Sequence, residues 1–217
     1  NTSFHIFPTL TDAIRKAGGV NYYSGQVFDM KNITKKGHEV GAFVGFDLAH
    51  GVGNIPLNLN AWEVDFAAWC SYKYLNSGPG GVSGMYVNER HVDNPKIFRL
   101  AGWWGHNKKD RFQMPDQFNP IPTAESWQLS NAPVLSMAAH KASLDLFTEV
   151  GMKKLRKKSI LLTNFMEFII ENINEKSSSR LEIITPKNIN YRGCQLSIIA
   201  HGFGKDLFEE LSKNHVV

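Results

Sequence analysis

The sequence predicts an α/β protein in which a mainly parallel sheet is followed by a smaller α+β unit. Three observations carry that prediction. "GAFVGFD" (Gly41–Asp47) is a near-continuous apolar run of strand length, the kind a parallel sheet buries on both faces. "VDFAAWCS" (Val64–Ser71) is a second such run, and the segment between the two is too long for a hairpin and suits a crossover. Further on, a long helical period gives way to two short strand-like stretches, "LEIITP" and "GCQLSIIAHG", followed by an amphipathic "KDLFEELSKN".

Taken in order, residues 1–20 ("NTSFHIFPTLTDAIRKAGGV") begin without a start methionine. They show no basic region, apolar core and small-residue cleavage site, so no secretory signal is expected. After the second strand comes a Gly-rich turn, "NSGPGG", and then a third strand, "VSGMYVNE". From Arg99 to Ala132 the chain is rich in Gly, Pro, Trp and Asn with little periodicity, and a loop this long in a compact domain is functional or interfacial. Beyond "SNAPV" a helical pattern runs far. Met152, Leu155, Leu162, Met166, Ile169 and Ile173 fall on one helix face. The change of domain is expected near residue 145, with residues 1–145 in the first unit and 146–217 carrying the long helix and the smaller unit. There are no internal repeats.

Composition narrows the function classes. The hydrophobic fraction of 42% with 20% charged residues is that of an ordinary globular chain, which excludes disordered and fibrous classes. No apolar run approaches the roughly 18 residues of a membrane helix. Cys70 and Cys194 both lie in apolar segments, which points to reduced thiols in a cytosol-like compartment. The net charge of +4 mildly favours an anionic ligand. Much of it comes from "KKLRKK" (Lys153–Lys158), a solvated helix face with no interleaved aromatics, so no nucleic-acid partner is expected. No metal site is expected either.

Chemistry concentrates at Asp47 and Lys73. Each ends an apolar strand, where open α/β sheets place their ligands. A carboxylate at the end of such a strand needs a cationic or hydrogen-bonding partner. A lysine among Trp69, Cys70, Tyr72 and Tyr74 is flanked by aromatic and apolar groups; imine chemistry requires an amine of this kind to attack a carbonyl. A buried ion pair would satisfy both residues. So would pyridoxal phosphate, whose aldehyde bonds a lysine and whose ring nitrogen is kept protonated by an aspartate. Its phosphate asks for backbone N–H groups and hydroxyls, which Ser71, Tyr72 and the Asn76–Gly81 turn offer.

"VGFDLAHGVGN", "VDFAAWCSYKYLNSGPGG", "GWWGH", "LSNAPV" and "RGCQLSI", in this order and spacing, closely resemble kynureninase over residues 18–217. The resemblance implies fold type I of the pyridoxal-phosphate-dependent transferases: a partial large domain with a mainly parallel sheet, plus part of a small α+β C-terminal domain. It implies a cytoplasmic homodimer acting in tryptophan catabolism and NAD biosynthesis. Such an enzyme hydrolyses L-kynurenine or its 3-hydroxy derivative to anthranilate or 3-hydroxyanthranilate and L-alanine. Carried over position by position, the resemblance makes Lys73 the Schiff-base lysine and Asp47 the partner of the pyridine nitrogen. His50 lies beside the cofactor ring, and Tyr72 bonds the phosphate and serves as acid/base. Trp103 contacts the phosphate region across a dimer interface, Asn131 is a further polar contact to the cofactor, and Trp104 and His106 line the substrate side. The plainer readings are a core or capping role for His50, a core role for Tyr72, a packed loop for "GWWG", and a helix N-cap for Asn131.

The sequence departs from the family in places. Gly18 stands near the cofactor where the family carries a serine. "SFHIFPTLTDAIRKAG" does not resemble the apolar strand expected before "GVNYYSGQ". The family's upstream phosphate loop, its ring-stacking aromatic and its substrate-carboxylate arginine have no match here, so the chain reads as a fragment lacking both ends. Two alternatives follow. One is a catalytically incompetent module that folds or pairs with a partner. The other is a different enzyme of the same fold, such as a cysteine desulfurase or aminotransferase, against which "GWWGH" with "SYKYLN" argues.

Overall fold

The structure, a computed structural model, describes residues 26–94, 96–178 and 180–216. These fall into two compact units: Asp29–Lys158, and a second that joins residues 26–28 to the stretch from Ser159 onward.

The first unit opens with α1 (Met30–Glu39), capped by Asp29, whose carboxylate accepts the Asn32 N–H at 3.0 Å. Strands β1 (Gly45–Asp47), β2 (Phe66–Trp69) and β3 (Gly84–Val87) form one sheet in that order. β1 and β2 run parallel, as the long connection between them requires, with Asp47 opposite Ala68. β3 returns antiparallel, because residues 70–83 contain no crossover helix to carry the chain back over the sheet. The sheet among the described residues is therefore mixed, one pairing of each kind. The core gathers Met30, Leu48 and Ala67, with Phe46, Ile55, Trp62 and Trp69 packed around them. Burial on both sheet faces, expected from the apolar runs, does not hold. Phe66 is 51% exposed while its neighbour Ala67 is buried, the alternation of a sheet covered on one face only.

At the start of β2 lies Asp65, which is buried and accepts the Val44 N–H at 2.6 Å. His38 Nε2 at 2.8 Å, His91 Nε2 at 2.7 Å and the Arg90 guanidinium complete its surroundings. Burial alone pushes this carboxyl up. Arg90, the Val44 N–H and the two histidines outweigh it and hold the carboxyl far below the usual carboxylate range.

After a short α2 (Glu89–Val92), the long helical pattern divides into α3 (Val134–Val150) and α4 (Met152–Lys176). Gly151, at φ +79°, breaks the pattern with a left-handed residue that costs glycine nothing.

In the second unit, α4 turns a different face inward from the one its apolar spacing marks. Leu162 is 58% exposed, and Met166 and Ile173 are exposed too, while Thr163 and Ile170 are buried. The inward face is set by Arg192, which is fully buried and donates to Glu167 at 2.6 and 2.9 Å and to Asn164 at 2.9 Å. A buried guanidinium demands such partners, and α4 supplies them with the half-buried Glu167 and the amide oxygen of Asn164. Strands β4 (Leu181–Ile183) and β5 (Ile198–Ala200) pair antiparallel, and α5 (Gly204–Lys213) follows. Among the described residues, no helix is long and apolar enough to cross a membrane.

Candidate functional site

The parallel pairing of β1 and β2 brings their C-terminal ends side by side, and both chains turn there. At the end of β1, Asp47 Oδ1 accepts the Ala49 N–H at 2.9 Å, which bends the chain into a run of tight turns through Ile55. The Leu48 N–H extends the ladder by donating to the Ala68 carbonyl at 2.8 Å. At the end of β2, Ser71 is fully buried and its hydroxyl lies 2.6 Å from that of Ser77. The Ser77 N–H closes the same loop onto the Ser71 carbonyl at 3.1 Å. Lys73 sits on the crest of this loop, and buried Leu75 anchors it. The Leu75 carbonyl also accepts from the Ser143 hydroxyl on α3.

The two turns touch. A side chain on Gly53 (φ +82°) would lie 3.0 Å from the Tyr74 carbonyl, and the rings of His50 and Tyr74 meet edge to face at 6.3 Å. Cys70 Sγ reaches toward the Ala49 carbonyl at 3.8 Å. Asp47, His50, Tyr72 and Lys73 therefore share one edge of the sheet.

Neither Asp47 nor Lys73 takes part in an ion pair among the described residues, which removes the buried-pair explanation. Asp47 is exposed, and its second carboxylate oxygen makes no hydrogen bond there. Lys73 is half-buried. Tyr72 is 54% exposed, so it is no core aromatic, and its hydrogen bond with Cys70 pushes the phenol above its ordinary value. His50 is exposed as well. An open carboxylate, an amine without a counter-charge and a protonated phenol on one edge fit a ligand that carries an aldehyde and a basic ring nitrogen. No group of three His, Cys, Asp or Glu that could hold a metal occurs among the described residues.

The remaining predicted residues lie elsewhere in the unit. Gly102–His106 packs against residues 126–129, with the Trp104 N–H directed at the Leu129 carbonyl and the Gly105 carbonyl accepting from Ile121 at 2.9 Å. Trp103 is 42% exposed and meets Phe112 edge to face at 5.4 Å. Trp104 lies under the Arg111 guanidinium, 4.5 Å from its ring centre. His106 is buried. Its Nε2 is 3.2 Å from Asp110 and its Nδ1 accepts the Asn119 N–H at 3.4 Å. Asn119 in turn bonds Asp110 and, with His106, lowers that carboxyl. Trp103, His106, Arg111, Met114 and Phe118 line a pocket of about 220 Å³. No hydrogen bond, ion pair or ring contact among the described residues joins this cluster to Asp47, His50, Tyr72 or Lys73.

Asn131 is exposed and does not cap α3, whose N-cap is Pro133. Gly18 lies outside the described residues. Arg111 has no counterpart in the sequence reading. It is one of four Lys and Arg residues in an aperiodic loop, with Arg99, Lys108 and Lys109, and only its place after two tryptophans hints at stacking.

Gly102 gives a direct test of this packing. A Cβ there would stand 2.4 Å from the Leu129 Cα and 2.8 Å from the Gln128 carbonyl oxygen, both backbone atoms that cannot yield cheaply. Gly102→Ala is expected to cost about 1–3 kcal/mol, read as a lower urea midpoint with an unchanged slope.

The family model for class-V aminotransferases matches residues 16–201. Among curated proteins, the chain is 56% identical to a kynureninase of Christiangramia forsetii over 200 residues, covering 92% of this chain and 47% of that protein. It is 55% identical to one of Flavobacterium psychrophilum, with the same coverage, and 47% identical to one of Myxococcus xanthus, covering 94% of this chain and 47% of that one. The chain thus spans about half the length of the curated relatives it matches. Among solved structures, an alanine–glyoxylate aminotransferase from Nostoc sp. superposes with a TM-score of 0.60 at 21% identity, covering 89% of this chain and 48% of that one. A C-DES variant with glycine covalently linked to its pyridoxal-phosphate cofactor gives 0.66 at 18% identity, covering 90% and 49%. At such identities these two establish the fold, the aminotransferase-like type I architecture.

Proposed function

Because the chain belongs to the class-V aminotransferase family, we propose that it carries the lysine-bearing part of a kynureninase, a hydrolase that cleaves kynurenine or 3-hydroxykynurenine and releases alanine. The observation that carries this reading is the pair of side chains on one sheet edge, where among the described residues Asp47 keeps an open oxygen and Lys73 has no counter-charge. When bound, pyridoxal phosphate supplies an electron sink for the substrate's α-carbon.

Lys73 would hold the cofactor through its aldehyde, and its amine would take and return the α-proton. Asp47 keeps the pyridine nitrogen protonated. Tyr72, whose phenol stays protonated at neutral pH, gives a proton at the γ-carbonyl and bonds the phosphate with Ser71 near it. His50 flanks the ring, and Asn131, with a free amide, adds a polar contact. Trp103, which is exposed, would reach the phosphate of a second copy, while Trp104 and His106 would face the substrate; a homodimer is part of this reading. Residues 1–145 are assigned to the large cofactor-binding domain and 146–217 to the small one, with Gly18 near the cofactor. The setting is cytoplasmic tryptophan catabolism leading toward NAD.

The test is to add pyridoxal phosphate to the purified chain, record its visible spectrum and supply kynurenine. A lysine-bound band with anthranilate fluorescence supports the enzyme, and a band alone supports a binding-competent module. With no band, the reading fails for this chain. Asp47→Ala is expected to keep the band yet slow turnover by about 10²–10⁴-fold in the active protein. Turnover within a few-fold of the parent would reject the electron-sink role.

A further inference from the structure

Arg111 is the one buried cation of the first unit's long loop that the proposed mechanism leaves without a task. It is 6% exposed, and no carboxylate lies within ion-pairing distance of it among the described residues. Its Nη2 donates to the Trp104 carbonyl at 2.7 Å and to the His106 carbonyl at 3.0 Å, and its planar face covers the Trp104 indole. Burying a guanidinium without an anion is costly, so the site tolerates it only where carbonyls and a π-face replace water. Two carbonyls two residues apart are drawn onto one nitrogen, which bends Trp104–His106 into a tight arc.

The other side of that arc is held by close approach. Gly102 and Gly105 bring the main chain against residues 126–129 with no room for a side chain. The next residue along, Phe112, meets the Trp103 ring edge to face. Arg111 and Phe112 thus hold Trp104 and Trp103 respectively, from one short helical turn (Arg111–Gln113).

We propose that Arg111 is the positioning residue of the 102–106 loop, setting the main-chain arc and the orientation of the two indoles it presents. It touches neither cofactor nor substrate and acts through Trp103 and Trp104. Its effect on pyridoxal-phosphate affinity rests on the kynureninase reading; its effect on the loop does not. Lysine replaces it only in part, since an ammonium could donate to both carbonyls but lacks the planar guanidinium that lies over the Trp104 indole.

The experiment compares Arg111→Met, Arg111→Lys, Trp103→Phe and the Met/Phe double variant of the full 217-residue chain. Indole N–H signals report the loop. Both Arg111 variants are expected to shift and broaden the Trp103 and Trp104 resonances while Trp62 and Trp69 keep theirs. If Trp103 and Trp104 are unmoved in Arg111→Lys, or if all indoles collapse together in both Arg111 variants, the positioning role is wrong. Titration with pyridoxal phosphate gives the second readout. Arg111→Met is expected to weaken binding about tenfold, and to weaken it less than twofold further in the Trp103→Phe background. Independent, multiplying losses would overturn the claim that Arg111 acts through the loop. Absence of cofactor binding by every form would count against the kynureninase reading, and the indole signals would still decide the role of Arg111.

Discussion

Lys73→Ala is expected to abolish covalent capture of pyridoxal phosphate by this chain. The reason lies in the loop. Ser71 and Ser77 pin its base, Leu75 anchors it in the core, and Lys73 lies on the same sheet edge as Asp47, with no carboxylate paired to its ammonium among the described residues. A lysine tied into an ion pair would have to break that pair before reacting; this one does not. Absorbance titration, followed by borohydride reduction and peptide mapping, checks the expectation: the parent's adduct falls on Lys73 and the variant carries none. A visible band that persists in Lys73→Ala, or an adduct mapped to Lys96, Lys108 or Lys109, would remove the central residue of the proposed site.

The largest stability effect is expected at Asp65, far along β2 from the site. Asp65→Asn leaves the Arg90 guanidinium without its carboxylate and gives His38 and His91 an amide in place of an anion. Breaking such a buried pair costs about 3 kcal/mol at neutral pH, at the lower end of the usual range because Arg90 is itself partly exposed. Folding depresses the Asp65 pKa below its unfolded value of about 3.9. Its contribution is therefore complete above about pH 4 and is lost as the pH falls from there toward the folded value. Urea unfolding of parent and variant should show the gap constant between pH 5 and 7 and narrowing at pH 3. A gap independent of pH would mean that the ionised carboxylate is not what stabilises β2.

Much of this was legible in the chain. "VGFDLAH" and "WCSYKYLN" mark two strands that end in functional groups, and a connection too long for a hairpin makes those strands parallel, so Asp47 and Lys73 must emerge at one edge. What period and composition misjudged has a common cause. Apolar spacing on α4 marks Leu162 and Met166, yet the buried face is chosen by Arg192, whose need for Glu167 and Asn164 no periodicity encodes. The continuous strand runs promise two covered faces, yet Phe66 stands open because only one layer packs on the sheet.

By itself, then, the sequence determined the α/β class, the parallel pairing of β1 and β2 and the residue types at their ends, since strand length, crossover length and side-chain chemistry are local properties. Only the tertiary structure decided that Asp47 and Lys73 form no ion pair among the described residues, that Asp65 gathers Arg90, His38 and His91 around one carboxylate, and that Arg111 holds the tryptophan loop. Asp65 meets partners 25 to 27 residues away, and Arg111 meets carbonyls five and seven residues away that no periodicity marks; in both, the cost of burying a charge selects the neighbour, and that selection is settled only when the chain has folded.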